Sequence, residues 1–262
     1  MRLILVDGLN LVRRIFAGVP DAAAPEMHTR KTLATVGASL DRLLHHYPAS
    51  HGAGVFDAPP PTWRHQLHDG YKAGRPAMPT RLAEALSDFE NVFERAGLKI
   101  IRAPGFEADD VIATISTKAA GRGARVLIVS TDKSLLMLLG ENIAVRNHFA
   151  DQNLTAATVH ERFGIPAARL ATYLALVGDP GQGIPGVPGI GPKAAAQLIR
   201  THHHLDTMLE VAQEQGRLYK LLQSHRREAL LSLQLATLRT DVDIGINLRD
   251  YRLQDYRLPT PL

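Results

Sequence analysis

Short apolar runs alternate with segments of helical periodicity over roughly the first 150 residues of the chain. Four runs are continuous, apolar and bounded by polar or turn residues: Arg2–Val6, Gly52–Phe56, Lys99–Arg102 and Arg125–Val129. Such runs are typical of strands buried in a parallel sheet. The intervening segments that predict helices are 29–47, 81–96 and Ala108–Ala120. This alternation predicts an α/β fold with a doubly wound parallel sheet.

The strand pattern fades after about residue 150, where helical segments are separated by links rich in glycine and proline. The helices predicted there cover 155–163, 167–177, 192–200 and 205–235. We therefore expect an α/β core at 1–150 followed by an α-helical subdomain at 151–262. Within the core, the segment 58–80 has little apolar periodicity, since three consecutive prolines open it.

The composition is that of a globular protein with a substantial core, at 262 residues, 45% hydrophobic and 21% charged. The chain has no cysteine, which excludes disulfides and thiolate ligands and leaves oxygen or histidine to hold any metal. The N-terminal apolar run is too short for a signal peptide or a membrane span. We therefore expect a cytoplasmic protein with no membrane contact.

The net charge of +4 permits a polyanionic partner without requiring one. Acidic residues fall in a few clusters, whereas lysine and arginine are spread along the chain. A basic surface around an acidic pocket suits an enzyme that cuts DNA with a metal, because cations follow phosphates and carboxylates hold metal. A merely solvated basic surface is the alternative interpretation.

Acidic residues follow every predicted strand. Asp7 follows the first, Asp57 follows the second and Asp132 follows the fourth by two residues. The third strand leads into the acidic cluster Glu107, Asp109 and Asp110. A single aspartate after a strand is commonly a helix cap, but ligands gather at the carboxyl ends of strands in open parallel sheets. The coincidence at four strands favours one shared site.

Carboxylates brought together in this way would repel one another unless a cation compensated them. Oxygen ligands of this kind suit Mg²⁺ or Mn²⁺, which keep several waters. Such an ion polarises a phosphodiester and activates water for attack. Metal-dependent phosphodiester hydrolysis is therefore the predicted chemistry.

Gly186–Lys193, with the sequence GVPGIGPK, lies between two predicted helices. Glycines there let backbone N–H groups approach phosphate oxygens, and the following helix N-terminus adds its dipole. Contact of this kind reads phosphate geometry rather than base sequence. An ordinary glycine-rich turn, or one that offers carbonyls to a monovalent cation, is the alternative.

The segment 63–76 places Arg64, Lys72 and Arg75 after Asp57. On a helix, Lys72 and Arg75 would share a face and could hold a scissile phosphate. Tyr71 could stack on a base. A solvated basic loop is the alternative.

Seven motifs occur in order along nearly the whole chain: VDGLNLVRR, VFD, WRHQ, YKAGRPAMP, EADD, VSTDK and IPGVPGIGPK. With them the chain resembles bacterial flap endonucleases of the exonuclease IX type, within the 5′-3′ exonuclease family. The resemblance implies a PIN-like parallel-sheet nuclease core at 1–150 with a helical arch or clamp at about 58–80. It also implies a DNA-binding subdomain at 151–262 with a helix–three-turn–helix element at about 170–200. The implied activity is Mg²⁺-dependent hydrolysis of 5′-flap or branched DNA, and we expect a monomer.

The resemblance also implies residue roles. The first Mg²⁺ site, where Mn²⁺ may substitute, would be formed by Asp7, Asp57, Glu107, Asp109 and Asp110. Lys72 and Arg75 match the arch cations, and the expected catalytic set is Lys72, Arg75, Asp7 and Asp109. K⁺ would bind main-chain oxygens of Leu176, Val177, Pro185, Val187 and Ile190. The expected DNA-binding residues are Gly189, Ile190, Gly191, Pro192, Lys193 and Ala194 of the hairpin, with Arg64 and Tyr71.

The chain departs from the family pattern at the expected second metal site. Asp132 and Asp179 are present, but Ser134 and Gln182 stand where two further aspartates are usual. Loss of two carboxylates weakens a second cation site. A nuclease that binds branched DNA without cutting is therefore one alternative, and a PIN-type ribonuclease is another. A small-molecule phosphohydrolase would have no use for the hairpin.

Overall fold

The computed structural model describes residues 1–20, 25–211 and 216–253. Parts of two expectations therefore lie outside the described residues. These are 212–215 within the predicted 205–235 helix, and 254–262 at the end of the expected subdomain.

Six strands form one sheet in the order β3-β2-β1-β4-β5-β6. They are β1 Arg2–Asp7, β2 His51–Val55, β3 Lys99–Ile101, β4 Arg125–Val129, β5 Ile143–Asn147 and β6 Gln152–Leu154. The pairs among β1 to β5 are parallel, and β6 is antiparallel to β5. The predicted parallel α/β sheet is confirmed, with β1 and β4 at its centre.

Helices cover both faces of the sheet and make up the C-terminal part of the chain. They are α1 Gly8–Gly18, α2 Pro25–His46, α3 Trp63–Leu67, α4 Thr80–Glu84, α5 Leu86–Arg95, α6 Ala108–Ala120, α7 Ala156–Phe163, α8 Leu170–Val177, α9 Pro192–His202, α10 Leu205–Glu210, α11 Gly216–Ser224 and α12 Arg226–Ala236. Short 3-10 helices occur at Lys133–Leu138, Ala167–Arg169, Pro180–Gln182 and Leu248–Tyr251.

Three elements were not predicted. In α1, Leu11, Val12 and Ile15 are buried on one face and Asp7 caps the N-terminus, a helical pattern that the sequence does carry. Strands β5 and β6 contain polar and half-buried residues, and so lack the apolar run of an interior strand. The sheet continues to Leu154, so the expected boundary at residue 150 cuts it.

The segment 58–80 does not form the expected helical arch. Between residues 58 and 80 the structure contains α3, of five residues, followed by turns. Lys72 has a φ of +56° and its carbonyl accepts the N–H of Arg75 at 3.0 Å, so these two cations occupy a turn and not a helix face. The helical arch rests on the family resemblance alone, since the segment itself lacks the apolar periodicity of a helix.

Two hydrophobic clusters lie on the two faces of the sheet. Ile4 and Val6 of β1 point to the face covered by α1, α2 and α5. Leu3 and Leu5 point to the other face, where they join α6 and the C-terminal helices in one cluster. Alternate side chains of β1 therefore pack into two different hydrophobic cores, and the C-terminal helices pack into one of them. Among the residues described, no helix has the length and hydropathy needed to cross a bilayer.

Candidate active site

Carboxylates meet at one edge of the sheet because β1, β2 and β4 run parallel and end there. Asp7 is the last residue of β1 and caps α1, where its Oδ1 accepts the N–H of Asn10 at 3.2 Å. Its Oδ2 accepts the hydroxyl of Ser130 at 2.7 Å. Asp57 accepts the N–H of Ala108 at 2.8 Å, which ties the end of β2 to the start of α6. The strand-end prediction is therefore met by geometry at Asp7 and Asp57.

Burial and like charge raise the pKa of Asp7. Desolvation is the largest cause and the charge of Asp57 adds to it, while hydrogen bonds from Ser130 and Asn10 lower the pKa. The result is a carboxyl group with a pKa of about 7 in place of 3.8. A buried acid whose pKa is raised this far is typical of functional sites.

Asp109 is the second acid of this kind. Burial raises its pKa well above the usual range, and the charges of Asp132 and Asp7 raise it further, against the opposing charge of Lys72. Its Oδ2 accepts the hydroxyl of Ser134 at 2.9 Å. Asp132 caps the following 3-10 helix by accepting the N–H of Ser134 at 2.8 Å.

The donor set of this cluster fits a hard divalent cation. No three acidic or histidine side chains of the described residues already converge in metal-holding geometry. The aspartates nevertheless repel one another strongly enough to raise the pKa of Asp7 and of Asp109. A divalent cation would relieve that repulsion, and oxygen donors suit Mg²⁺ and Mn²⁺.

Glu107 and Asp110 lie in an ion-pair network beside the cluster. Glu107 contacts Lys72 through Oε1, while its Oε2 accepts Arg64 at 2.7 Å and the hydroxyl of Tyr71 at 2.8 Å. Burial raises the pKa of Glu107, but the charges of Lys72 and Arg64 outweigh it and hold that pKa below its usual value. Glu107 is therefore ionised and paired.

Asp110 is fully buried, and both of its oxygens are occupied. Oδ1 accepts Arg64 Nη2 at 2.9 Å and the N–H of Arg239 at 2.9 Å, and Oδ2 accepts Arg64 Nη1 at 2.7 Å and Trp63 Nε1 at 3.0 Å. The prediction that Asp110 is a metal ligand is corrected, because its carboxylate is saturated by these donors. It anchors α3 and the chain after α12 to α6.

The structure also argues against the predicted DNA contacts of Arg64 and Tyr71. Arg64 is 2% exposed and donates further to the carbonyls of Leu235 and Thr237, so it has no face for DNA. Tyr71 is buried with its hydroxyl donated to Glu107, so its ring is not free to stack on a base. A basic and an aromatic side chain are types that often contact DNA, but both side chains are buried here.

The expected second metal site contains neutral or cationic partners. Asp179 is paired with Lys133 at 2.9 Å. Gln182 Nε2 donates to Asp132 at 3.4 Å, and Ser134 donates to Asp109. The two replacements therefore act as hydrogen-bond donors to the remaining acids of the site.

The turn with the two predicted cations is joined to the loop after α8. The N–H of Lys72 donates to the carbonyl of Gln182 at 2.9 Å, and Arg75 Nε donates to the carbonyl of Gly181 at 2.9 Å. The side chain of Arg75 is exposed and that of Lys72 is half-buried against Glu107. Lys72 therefore borders the carboxylates at Glu107, and Arg75 borders the loop that begins at Asp179.

The predicted hairpin is built on closely approaching backbones. Gly178 and Gly186 have φ values of +80° and +71°, and a Cβ on Gly186 would lie 2.4 Å from the nitrogen of Gly178. The N–H of Gly186 donates to the buried hydroxyl of Ser232 at 2.9 Å. The Leu176 carbonyl accepts the N–H of Val187 at 2.8 Å, so the two segments lie side by side.

The hairpin presents backbone to solvent at the start of α9. Gly189, Gly191 and Lys193 are exposed, whereas Ile190 is buried and anchors the turn. Gly191 caps the helix without a side chain, so no side chain of the cap residue takes up the first amide groups. Of the expected K⁺ ligands, Leu176, Val187 and Ile190 have buried side chains, and Pro185 is exposed.

Three residues of the site were missed. Ser130 follows β4 directly, and its hydroxyl donates to Asp7. The same hydroxyl oxygen accepts the backbone N–H of Asp132 at 3.0 Å. Asn10 accepts both the N–H and the hydroxyl of Thr131, which joins α1 to the end of β4. Ser130 and Thr131 stand at the same strand end as Asp132, so attention to hydroxyls there would have found them.

Similar proteins share this organisation. A family model for "5′-3′ exonuclease, N-terminal resolvase-like domain" matches residues 2–164, and one for "5′-3′ exonuclease, C-terminal SAM fold" matches 165–258. A protein named Flap endonuclease Xni from Shewanella oneidensis is 40% identical, with 96% of this chain and 95% of that protein covered. Its namesake from Aeromonas hydrophila is 37% identical, with 95% of each chain covered.

Solved structures with the same fold are more distant. T5 5′-exonuclease with bound zinc has a TM-score of 0.73 at 22% identity, covering 92% of this chain and 90% of that one. The catalytic core of Rad2 with a DNA substrate has a TM-score of 0.57 at 15% identity, covering 92% of this chain and 80% of that one. Two family models that together span residues 2–258, and relatives near 40% identity, establish that the chain belongs to the 5′-3′ exonuclease family.

Proposed function

We propose that the chain is a structure-specific flap endonuclease that hydrolyses phosphodiester bonds in DNA with 5′ flaps or branches. The observation that carries this proposal is the group of acids at the sheet edge, where buried Asp7 and half-buried Asp109 are repelled by each other and by neighbouring aspartates. Relatives named Flap endonuclease Xni match nearly end to end, which supports the same activity. We propose that the chain acts as a monomer.

The cation of this site is proposed to be Mg²⁺, with Mn²⁺ able to substitute. Asp7, Asp57 and Asp109 would hold it, with Asp132 nearby and Glu107 reaching it from the ion-pair network. When bound, such an ion polarises a phosphodiester and lowers the pKa of water. Divalent ions are bound in T5 5′-exonuclease structures, which supports a metal requirement.

The remaining side chains orient the acids and hold the substrate. Ser130 and the N–H of Asn10 each donate to one oxygen of Asp7, and Ser134 donates to one oxygen of Asp109, so each acid is held in a fixed orientation. Lys72 and Arg75 would bind the scissile phosphate, because Lys72 borders the acidic edge, Arg75 lies in the same turn, and negative charge builds up there during hydrolysis. Lys72 would leave Glu107 to do so.

The hairpin is proposed to bind duplex DNA next to the cleavage site. Exposed backbone at Gly189–Ala194, with the positive end of α9 and the charge of Lys193, suits phosphate oxygens. The K⁺ ion is proposed to bind main-chain oxygens of Leu176, Val177, Pro185, Val187 and Ile190. The close approach of Gly178 and Gly186 supports it, since it brings those carbonyl-bearing segments together.

The proposed division of labour is a nuclease core at 1–150, with the clamp at 58–80, and a DNA-binding subdomain at 151–262. The helix–three-turn–helix element at about 170–200 corresponds to α8, the loop and α9. Hydrogen bonds of Lys72 and Arg75 to the loop before the hairpin support a joint action of clamp and subdomain.

The test is cleavage of labelled 5′-flap DNA with Mg²⁺, compared with duplex DNA without a flap and with an RNA flap. Wild-type protein is expected to cut the DNA flap near the junction, and Asp109→Ala to lose at least about 10²-fold in rate. Asp88→Ala, which removes an exposed acid on α5, is the matched control. No cleavage by the wild type, or an Asp109→Ala variant as active as the wild type, would contradict the proposal.

A second candidate is a protein that binds branched DNA without cutting it. Ser134 and Gln182, together with the Lys133–Asp179 pair, favour it because they leave little negative charge for a second ion. It requires flap-selective binding with no product even in Mn²⁺. A product that disappears in Asp7→Ala eliminates it. A large gain in rate from Ser134→Asp with Gln182→Asp would show that the second ion limits the reaction.

A further inference from the structure

A cavity of about 670 Å³ lies between α1, α2 and the end of β5. Its polar walls include Arg14, Arg42, Arg146 and His148, and its aromatic walls are Tyr47 and Phe149. A cavity of this size is large enough for a nucleotide. The proposed function uses none of these residues.

The cavity has a surplus of positive charge. Asp151 is the one acid on its wall among the described residues, and its side chain is 91% exposed where it contacts Arg146. The acid next to Arg42 on α2, Asp41, lines a different cavity together with Arg95. Three guanidinium groups therefore face one solvated carboxylate, which favours an anionic ligand.

Arg146 is a buried cation with a spare donor. It is 6% exposed, and its guanidinium carbon lies 4.6 Å from the centre of the Tyr47 ring. Nη1 donates to Asn153 at 3.1 Å and Nη2 contacts Asp151, whereas Nε has no partner among the described residues. A buried arginine that lines the cavity and is held by these partners supplies a fixed positive charge there.

Phe149 lies at the mouth of the cavity and is 42% exposed, one of the few large hydrophobic side chains so exposed among the described residues. The guanidinium carbon of Arg14 lies 5.1 Å from the centre of its ring. An exposed aromatic ring among arginines is the combination that single-stranded nucleic acid uses, with bases on the ring and phosphates on the cations.

Hydrogen bonds connect this cavity to the acidic edge. Arg14 Nη1 donates to the hydroxyl of Thr131 at 3.2 Å, and Thr131 donates to Asn10 at 3.0 Å. The N–H of Asn10 donates to Asp7. The cavity therefore adjoins the ends of β1 and β4, where Asp7 and Thr131 lie.

We propose that this cavity binds one nucleotide of the single-stranded arm of the substrate, with its phosphate on Arg42 and Arg146 and its base on Phe149. The inference rests on the proposed function for the identity of the strand. Free phosphate has the same anionic chemistry, and only a strand also engages the aromatic ring.

The test measures binding by fluorescence anisotropy in EDTA, so that no cleavage occurs. The probes are 5′-flap DNA, the same duplex without the flap, and an oligo-dT strand. Arg42→Ala and Phe149→Ala alter exposed residues, and Arg95→Ala is the matched control, being exposed and outside the cavity. Thermal melts check that each variant is folded.

Each cavity variant is expected to lose about tenfold in affinity for the flap and the dT strand, with duplex binding unchanged. Arg42→Ala should also lower the slope of log affinity against log salt by about one, and Phe149→Ala should not. Wild-type affinities in both cavity variants, or equal losses on the duplex without a flap, would overturn the inference. So would displacement of dT by millimolar inorganic phosphate together with no effect of Phe149→Ala.

Cleavage in Mg²⁺ separates the two proposals. A wild type that cuts flaps while the cavity variants bind dT normally contradicts the cavity inference alone. A wild type that never cuts, with variants that lose dT binding, contradicts the proposed function and supports the cavity as a strand site.

Discussion

At the scale of single residues, the acids of the sheet edge divide into two classes according to their partners. Glu107 and Asp110 are charge-paired with arginine or lysine, and for Glu107 this pairing outweighs the effect of burial on the carboxylate. Asp7 and Asp109 accept only from hydroxyl and amide donors and face several repelling carboxylates, which outweigh the charge of Lys72 near Asp109, so their carboxylates are costly. The costly pair is where a cation binding to the folded state would contribute most stability.

Asp7→Asn is therefore expected to stabilise the metal-free protein at pH 8. The folded pKa of Asp7 is about 7 against 3.8 when solvated, so the folded state binds the proton more tightly and stability falls as pH rises from about 4 to 7. Asparagine removes that loss, and its Oδ1 can still accept the N–H of Asn10, while its Nδ2 would donate to Ser130 Oγ once that hydroxyl turns away. The expected gain in the free energy of unfolding is at most about 4 kcal/mol at pH 8 and near zero at pH 4. Thermal melts in EDTA at both pH values measure it, and equal gains at both would contradict the cause given.

Replacement of Arg64 is expected to lower stability, whereas replacement of Arg75 is expected to lower activity alone. Arg64→Ala leaves the carboxylates of Glu107 and Asp110 buried with fewer partners, and should lower the free energy of unfolding by about 3–5 kcal/mol. Arg75→Ala removes one exposed side chain, so the melting temperature should not change while flap cleavage falls by about 10²-fold. Melts and cleavage rates on both variants decide this, and a destabilised Arg75→Ala would contradict it.

At the scale of elements, the loop between α8 and α9 depends on glycine for two reasons at once. Gly186 has a φ of +71°, and its Cα approaches Gly178 so closely that a Cβ would lie 2.4 Å from the neighbouring nitrogen. Backbone cannot move aside as a flexible side chain can. The two segments that are proposed to hold K⁺ and the hairpin are therefore held at a fixed separation.

Gly186→Ala is expected to lower the free energy of unfolding by about 1–3 kcal/mol and to weaken binding to duplex DNA. Gly74→Ala is the matched control, since that glycine has no positive φ and open space around it. Urea unfolding and anisotropy with unbranched duplex measure both effects. If the two variants behaved alike, the close approach of Gly178 and Gly186 would not be what shapes the hairpin.

The sequence predicted elements best where burial is one-sided or complete. The apolar runs of β1 and β4 and the pattern of α6 led to bounds within one residue of those observed. It failed at β5, where Arg146 is buried in a strand, and at 63–76, where Arg64 and Tyr71 are buried although polar residues surround them. Tertiary partners such as Asp110 and Glu107 make that burial possible, and local sequence does not reveal them.

The position of the candidate site could be predicted from the sequence, but the partners of its side chains could not. Parallel strands must bring their ends together, so Asp7 and Asp57 could be placed in one cluster without coordinates. Which oxygens remain free could not be known, because Arg64 reaches Asp110 from 46 positions away in the chain. The donors Ser130 and Ser134 depend on the same long-range geometry.

At the scale of the whole molecule, the two family segments share one hydrophobic cluster. The cluster on the α6 face contains Leu3 and Ile112 from the first segment and Leu174, Leu198 and Leu235 from the second. Polar contacts cross the same junction, since Arg64 donates to the carbonyl of Leu235. Neither segment could be removed without exposing apolar surface of the other.

Thermal unfolding is therefore expected to be a single transition in which both segments unfold together. The single tryptophan, Trp63, reports on the junction, because its Nε1 donates to Asp110 at 3.0 Å and the guanidinium groups of Arg64 and Arg239 lie 4.4 and 4.9 Å from its ring centre. Tryptophan fluorescence and far-UV circular dichroism should give the same midpoint. A fluorescence midpoint several degrees below the loss of helix would mean that the junction opens first and that the segments are separate folding units.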